Sequence, residues 1–314
     1  NSGLKSNETV KTLFTSTPTF GLPIVSVITD SVGFFDPEKG ISVYGNHPDG
    51  NYNLRGRQAE RLAYMHIFDS LGTLQFETSA GLRIKGNGSR HSAMKNMRFI
   101  QRSIYPGTQG NATEFLHNYS LLRGAGHRPD CIGRDYLSHL FVSNLPFLKA
   151  KPKMHACYIN GEFWGIYDLR ANIDEAYVES YFQLPTDSSA FADHTYLIQT
   201  ENYTDSLEFA NLTLFAENND LSIPANYANV ESKLDLEEFI ALNCSQIFLG
   251  NGDYPRTNNG WFVVRNGHSK SKWHNYFFDL DGGFGGDCDT ILRTFNTLNY
   301  YLQTSTSEWT KANR

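Results

Sequence analysis

The sequence predicts an α+β fold, with a strand-rich lobe, then a helical lobe, and a cleft between them. Three patterns predict it. Up to residue 170, apolar residues alternate in short runs bounded by Gly, Pro, Asn and Asp, as strands do. From 171 to 249 they recur at three- and four-residue spacing, as helices do. Beyond 250 two strand-like runs, 261–265 and 273–278, return between loops rich in Gly and Asp. The predicted division is a polar lead-in over 1–21, a strand-rich lobe over 22–170 and a helical lobe over 171–314.

Taken in order, residues 22–29 predict a strand, 34–40 a turn and 46–61 a long polar loop. Strands at 62–68 and 81–85 flank a hairpin connection at 69–72. A Gly-rich turn at 86–90 leads to a strand at 95–100. A helix is predicted over 132–145, capped by Asp130, stopped before Pro146, with Leu137, Leu140 and Phe141 on one face. Asn160-Gly161 joins strands at 153–159 and 162–169 through a type I′ turn. Four helices follow at 173–184, 203–218, 224–233 and 235–249, with Pro224 at a first helical position. The last delivers the chain to Gly250 and the acidic loops.

The 314 residues, 40% hydrophobic and 19% charged, suit a globular chain with a sizeable core. Aromatics at 14% point to many buried or groove-lining rings. A net charge of −6 argues against a nucleic-acid partner, which would call for a basic surplus. No apolar run reaches membrane-spanning length. The chain opens on Asn1 without a secretory core, read as a processed or internal start. Cys131, Cys157, Cys244 and Cys288 lack zinc spacing and are read as buried thiols. Most of the seven Asn-x-Ser/Thr triplets are read as Asn-rich composition rather than glycosylation.

Asp253 and Asn258 stand four residues apart within one loop. That spacing suits phosphoryl transfer, in which an Asp accepts the hydroxyl proton and an Asn further along holds a metal. Asp279 and Asp281, a hairpin later, offer the second set of metal ligands. The two acidic loops are read as lying at opposite ends of that hairpin. Gly86, Gly88 and Ser89 form a turn whose backbone N–H groups can cradle phosphate, and Lys95 could reach the same phosphates. Arg134 sits in a first helical turn, where its charge opposes the helix dipole unless an ion pair or phosphate offsets it. Each has a plainer meaning: Asn, Asp and Gly make turns, and lone lysines and arginines are usually solvated. The order of Gly-rich turn, lysine, helices, Asp-x₄-Asn loop and Asp-Gly loop is that of protein kinases.

Longer stretches carry a family resemblance. They are Leu22-Pro-Ile-Val-Ser26, Phe35-Asp-Pro-Glu-Lys-Gly-Ile-Ser-Val-Tyr-Gly45, Arg55-Gly-Arg57, Glu60-Arg61 and Gly81-Leu-Arg-Ile-Lys-Gly-Asn-Gly-Ser-Arg90 with Lys95. Further on come Ile132-Gly-Arg-Asp135, Asn160-Gly-Glu-Phe-Trp-Gly-Ile-Tyr167, Gly250-Asn-Gly-Asp253 and Asp279-Leu-Asp-Gly-Gly-Phe-Gly285. Together they resemble the CotH-type atypical kinases of bacterial spore coats and surface proteins. The resemblance implies a divergent kinase-like fold that binds ATP with Mg²⁺ or another divalent cation and phosphorylates Ser/Thr of a partner protein. It implies a bacterial envelope or secreted location. By position, Lys95 would contact nucleotide phosphates, Asp253 would be the catalytic-loop Asp, Asn258 a metal ligand and Asp281 the main metal-binding Asp. Lys95 and the 86–89 turn are then expected to share a cleft with Asp281. Two departures stand out. Family members often carry Glu where this chain has Ala171, so Ala171→Glu is expected to raise nucleotide affinity. They also continue with further helices, whereas this sequence stops at Arg314, shortly after 298–302, and so reads as truncated. A kinase-like binding module without catalysis, and a metal-dependent hydrolase built on Asp253, Asp279 and Asp281, are the alternative readings.

Overall fold

The computed structural model describes residues 10–14, 21–105, 112–124, 133–192, 203–254, 260–266 and 269–284. They form a mixed α+β protein of two compact units, Asn1–Pro129 with Lys153–Arg170, and Asp130–Pro152 with Ala171–Arg314.

In chain order the first unit holds strand β1 (Ile24–Thr29), helix α1 (Ser31–Phe35), and strands β2 (Arg61–Phe68), β3 (Leu74–Lys85) and β4 (Asn96–Ile100). After α2 (Ala112–Glu114), which runs into a π-helical turn at Phe115–Tyr119, comes β5 (Leu121–Arg123). The second unit then contributes α3 (Arg134–Phe141) and β6 (Leu148–Lys149) before the chain returns with β7 (Lys153–Ile159) and β8 (Glu162–Arg170). The first unit's strands close into a barrel in the order β1-β2-β3-β4-β5-β8-β7. β1 and β7 run parallel and every other pair is antiparallel. Closure leaves no open edge. Val25, Val27, Met65, Leu82, Met97, Phe99 and Leu169 fill the interior. Residues 10–14 lie on the barrel's outside, where the Thr12 hydroxyl bonds Ser26 at 2.9 Å and Lys11 pairs with Glu77 at 2.7 Å.

One buried carboxylate organises the barrel wall. Glu60 meets the guanidinium of Arg102 at 2.9 Å and accepts hydrogen bonds from Arg83 and Tyr105. Burial alone would raise its pKa, but the bonds from Arg102, Tyr105 and Arg83 prevail and hold it at about 2.

The rest of the second unit is α4 (Glu175–Tyr181), β9 (Ser189–Ala192), α5 (Tyr203–Asn218), α6 (Pro224–Glu231), α7 (Leu236–Phe248), β10 (Gly260–Asn266), β11 (Ser269–Lys270) and β12 (His274–Phe277). β10 pairs with β9 on one side and β12 on the other, and β12 pairs in parallel with β6. Alternation along β10 covers both faces of this sheet. Trp261 and Val263 join the cluster of Phe209, Leu212 and Val230, from α5 and α6. Phe262 joins the opposite cluster of Ala171, Tyr177, Val178 and Phe191. Asp174 and Asp235 cap α4 and α7, accepting the N–H of Tyr177 at 3.0 Å and of Glu238 at 3.1 Å. No helix among the described residues is long and apolar enough to cross a membrane.

Several expectations need correction. Phe34 and Phe35 are helical, because Asp30 caps α1 by accepting the N–H of Val32 and of Gly33. The strand expected at 81–85 begins at Leu74. The short strands β5, β6 and β9 were not expected, being too brief for alternation to show. α3 is shorter than predicted, and Gly133, in the left-handed region, stands at its N-cap. Asp130 lies outside the described residues. The inward face of α3 carries Asp135, Ser138 and His139, while Leu137, Leu140 and Phe141 are exposed. Cys157 is buried as expected but Cys244 is exposed, and Cys131 and Cys288 lie outside the described residues.

The β7–β8 turn matches its prediction, with φ of 51° at Asn160 and 87° at Gly161. A Cβ at Gly161 would meet nothing within 4 Å, so the cost of adding one is the left-handed backbone alone. Gly161→Ala should destabilise the protein by about 1–2 kcal/mol, read as a lower urea midpoint with an unchanged slope.

Candidate functional site

The second unit gathers the acidic loops. α7 ends at Phe248 with Leu249 as its C-cap, and Gly250 turns the chain with φ of 60°. A left-handed residue just past a helix favours glycine because it carries no Cβ. Asn251, Gly252 and Asp253 follow. The other loop leaves β12 and runs through Asp279, Leu280, Asp281, Gly282, Gly283 and Phe284. Asp253 precedes β10 and Asp279 follows β12, and these strands are antiparallel. Both loops therefore lie at the open end of the hairpin, which corrects the expectation of opposite ends.

The two loops are joined by their backbones. Gly252 N–H donates to Gly282 O at 3.4 Å, and Phe284 N–H donates to Leu249 O at 2.5 Å. Gly283 N–H closes its own turn on Leu280 O at 3.0 Å. Leu280 is fully buried with Phe277, Leu249, Leu242 and Tyr254, so the residue between the two aspartates anchors their loop. Asp279 has φ of 59°, which Asp tolerates better than most side chains. A Cβ at Gly282 would stand 3.1 Å from Asp253 Oδ2 and 3.0 Å from Asn251 Oδ1. The Asp253 carboxylate thus lies directly against the loop that carries Asp281.

The first turn of α3 grips the same loop. Arg134 Nη1 donates to the backbone oxygen of Asp281 at 3.0 Å. Asp135, buried, accepts the N–H of Leu280 through Oδ1. Its Oδ2 lies 3.6 Å from His139 Nδ1, which itself meets Asp135 O at 2.9 Å. Neither Asp135 nor Asn251 was singled out as a site residue. The signal for Asp135 was its place in the Ile132-Gly-Arg-Asp135 stretch. Asn251 looked like an ordinary turn residue.

The Gly-rich turn belongs to the first unit. Gly88–His91 form a 3₁₀ turn, preceded by Gly86 with φ of 114°. A Cβ at Gly86 would collide with Ser89 Oγ at 2.0 Å. Ser89 Oγ accepts from Asn96 Nδ2 at 3.2 Å, and Asn96 Oδ1 accepts Gly124 N–H at 2.8 Å. Arg90, buried, donates to Gly86 O and Tyr52 O, and burial draws its pKa down to about 10. Lys95 lies one residue before β4 rather than on it. Its amine donates to Ser92 O at 2.8 Å and sits 4.6 Å from the centroid of the Tyr52 ring. Burial lowers its pKa.

Asp253, Asp279, Asp281 and Arg134 are thus gathered within the second unit, and Gly86, Gly88, Ser89 and Lys95 within one turn and strand start of the first. Asn258 lies outside the described residues. A separate acidic group, Asp235, Glu238 and His274, brings one ligand atom each within 4.8 Å of the others. Asp235 caps α7, and Glu238 meets His274 Nδ1 at 3.1 Å and Asn275 N–H at 3.2 Å, so these residues join a helix start to β12.

The expectation for Ala171 changes with its surroundings. Ala171 is buried among Leu148, Tyr177, Val178 and Phe191. A Glu side chain there would enter apolar packing. Ala171→Glu should cost about 3–5 kcal/mol, the scale of an uncompensated buried charge, and lower the melting temperature sharply. Gly282→Ala should cost about 1–3 kcal/mol by overpacking. A crystal structure of that variant should show Asp253 and Asn251 moved by a few tenths of an ångström, with the rest of the hairpin in place.

Comparison with curated proteins finds none that matches the chain. The family model described as CotH kinase protein matches residues 82–313, a span that holds every residue of both groups. With Asp253, Asp281 and the Arg134-Asp135 pair in that span, the chain belongs to the CotH kinase family.

Proposed function

We propose that this protein is an ATP- and Mg²⁺-dependent kinase that phosphorylates Ser or Thr of a partner protein at a bacterial coat or surface. The observation that carries the reading is the apposition of the Asp253 turn and the Asp281 loop, tied by the backbone bonds Gly252–Gly282 and Leu249–Phe284. Phosphoryl transfer asks for this pairing, an Asp to orient and deprotonate the hydroxyl beside an Asp that holds the metal. A kinase-like arrangement of two lobes is part of the same proposal.

The residues fit the metal. Mg²⁺ prefers hard oxygen ligands and is usually bound by one or two carboxylates together with substrate phosphates. Asp281 and Asp279 supply carboxylates, with Asn258 assigned as a further ligand. When bound, the metal neutralises charge on the nucleotide phosphates. Asp253 orients the acceptor hydroxyl and takes its proton. Arg134, donating to Asp281 O, adds positive charge beside the loop. The reading assigns Gly86, Gly88, Ser89 and Lys95 to the nucleotide phosphates.

One observation favours a second reading, a binding module without catalysis. The Lys95 amine already has two partners, Ser92 O and the Tyr52 ring. Nucleotide binding by this lysine would compete with them.

Two variants separate binding from chemistry. Asp281→Ala should abolish Mg²⁺-dependent ATP binding measured by calorimetry, because its charge acts before and during transfer. Asp253→Asn should keep most of that binding and lose about a hundredfold or more in transfer from labelled ATP to a Ser/Thr acceptor, the usual scale for removal of a general base. Parental binding of Mg·ATP in both variants would place the metal elsewhere and defeat the reading. A parent protein that binds no nucleotide would leave the binding-module reading in its place.

A further inference from the structure

We infer that Asn251 and Gln246 are positioning residues for Asp253, acting through a buried chain of amides from α7. The consequence for catalysis rests on the kinase reading above, while the geometry stands apart from it. The Asp253 N–H can only donate, and it faces Asn251 Oδ1 at 3.2 Å. That assigns the Asn251 amide its orientation, so Nδ2 points at Gln246. There it donates to Oε1 at 2.9 Å. The Asn251 N–H also donates to Gln246 O at 3.2 Å. Both side chains are completely buried. Reversing the Asn251 amide would set its NH₂ group against the Asp253 N–H and its oxygen against Gln246 Oε1. At fully buried positions, each mismatch leaves a polar group without a partner.

The chain therefore runs from a helix residue, through one amide, to the backbone of the turn that carries Asp253. Its other side is set by Gly282, where a Cβ would stand 3.0 Å from Asn251 Oδ1 and 3.1 Å from Asp253 Oδ2. Asn251 thus contacts both the Asp253 turn and the Asp281 loop. A shift in its amide moves one acidic group relative to the other. Alignment of this kind governs turnover rather than nucleotide affinity.

The test uses the whole chain and three variants: Asn251→Ala, Gln246→Leu and Gln246→Glu. The first removes the acceptor for the Asp253 N–H. The second removes only the group that orients Asn251. The third, read at a pH where burial keeps its carboxyl protonated and neutral, keeps an oxygen acceptor for Asn251 Nδ2 at nearly the same size. Three quantities are read: hydrogen exchange of the Asp253 amide, the Kd for Mg·ATP, and kcat for phosphate transfer. Asn251→Ala and Gln246→Leu should speed Asp253 exchange at least about tenfold, leave Kd unchanged and lower kcat about ten- to a hundredfold. Gln246→Glu should restore parental exchange and kcat. A purely structural role would lower the melting temperature of Gln246→Leu without a selective loss of kcat. Unchanged exchange, or faster exchange with parental kcat, overturns the inference, and so does Gln246→Glu behaving like Gln246→Leu. If Gln246→Leu fails to fold, Asn251→Ala and Gln246→Glu decide by the same criteria. A parent that transfers no phosphate overturns the kinase reading and the positioning role with it. An active parent whose variants keep kcat overturns the positioning role alone.

Discussion

The second unit depends on the burial of Leu280. This side chain lies between two aspartates and is held in the cluster of Phe277, Leu249 and Tyr254. Full burial of a leucine contributes about 1.5–3 kcal/mol, against about 1 kcal/mol net for a typical hydrogen bond. The apolar contact therefore sets the depth of the loop, and the hydrogen bonds set its orientation. Leu280 N–H reaches Asp135, Asp281 O receives Arg134, and Gly282 O receives Gly252. Asp279 and Asp281 flank the anchor, so their spacing follows from where the leucine is seated.

This anchor explains why the inward face of α3 is polar. A helix laid over an apolar core usually turns leucines toward it. α3 turns Asp135 inward, where it accepts the Leu280 N–H that an apolar side chain could not satisfy, while Ser138 and His139 meet backbone oxygens of α3 itself. Asn251 and Gln246 repeat the pattern on the other side of the loop. A buried hydrogen bond of this kind holds one arrangement firmly, since breaking it leaves a donor or acceptor without a partner.

The barrel applies the same rule with charge. Glu60 is buried and ionised because Arg102, Tyr105 and Arg83 surround its carboxylate. Gly81 is required beside it, since a Cβ would come within 2.5 Å of the Glu60 carboxyl group. Around Lys95, Tyr52 supplies a ring face and Ser92 a carbonyl to a half-buried amine.

Sequence alone determined the elements whose signal is local. The Asn160-Gly161 turn was legible because two adjacent positive φ values ask for those residue types. α7 was legible because helical periodicity persists over three turns. The acidic stretches around Asp253 and Asp281 were legible as chemistry, and the resemblance they carry led to the family that the comparison shows. The tertiary structure alone decided what lies far apart in the chain. It closed the barrel through a parallel pairing of β1 with β7, and it set both acidic loops at one end of the hairpin. It made α3 present its polar side inward and sealed Ala171 in apolar packing. It also brought Asp135 to Leu280 and set Gly282 against Asn251. The physical reason is the same in each case: propensity and periodicity are written within a few residues, whereas a buried polar group takes its meaning from a partner that only folding brings near.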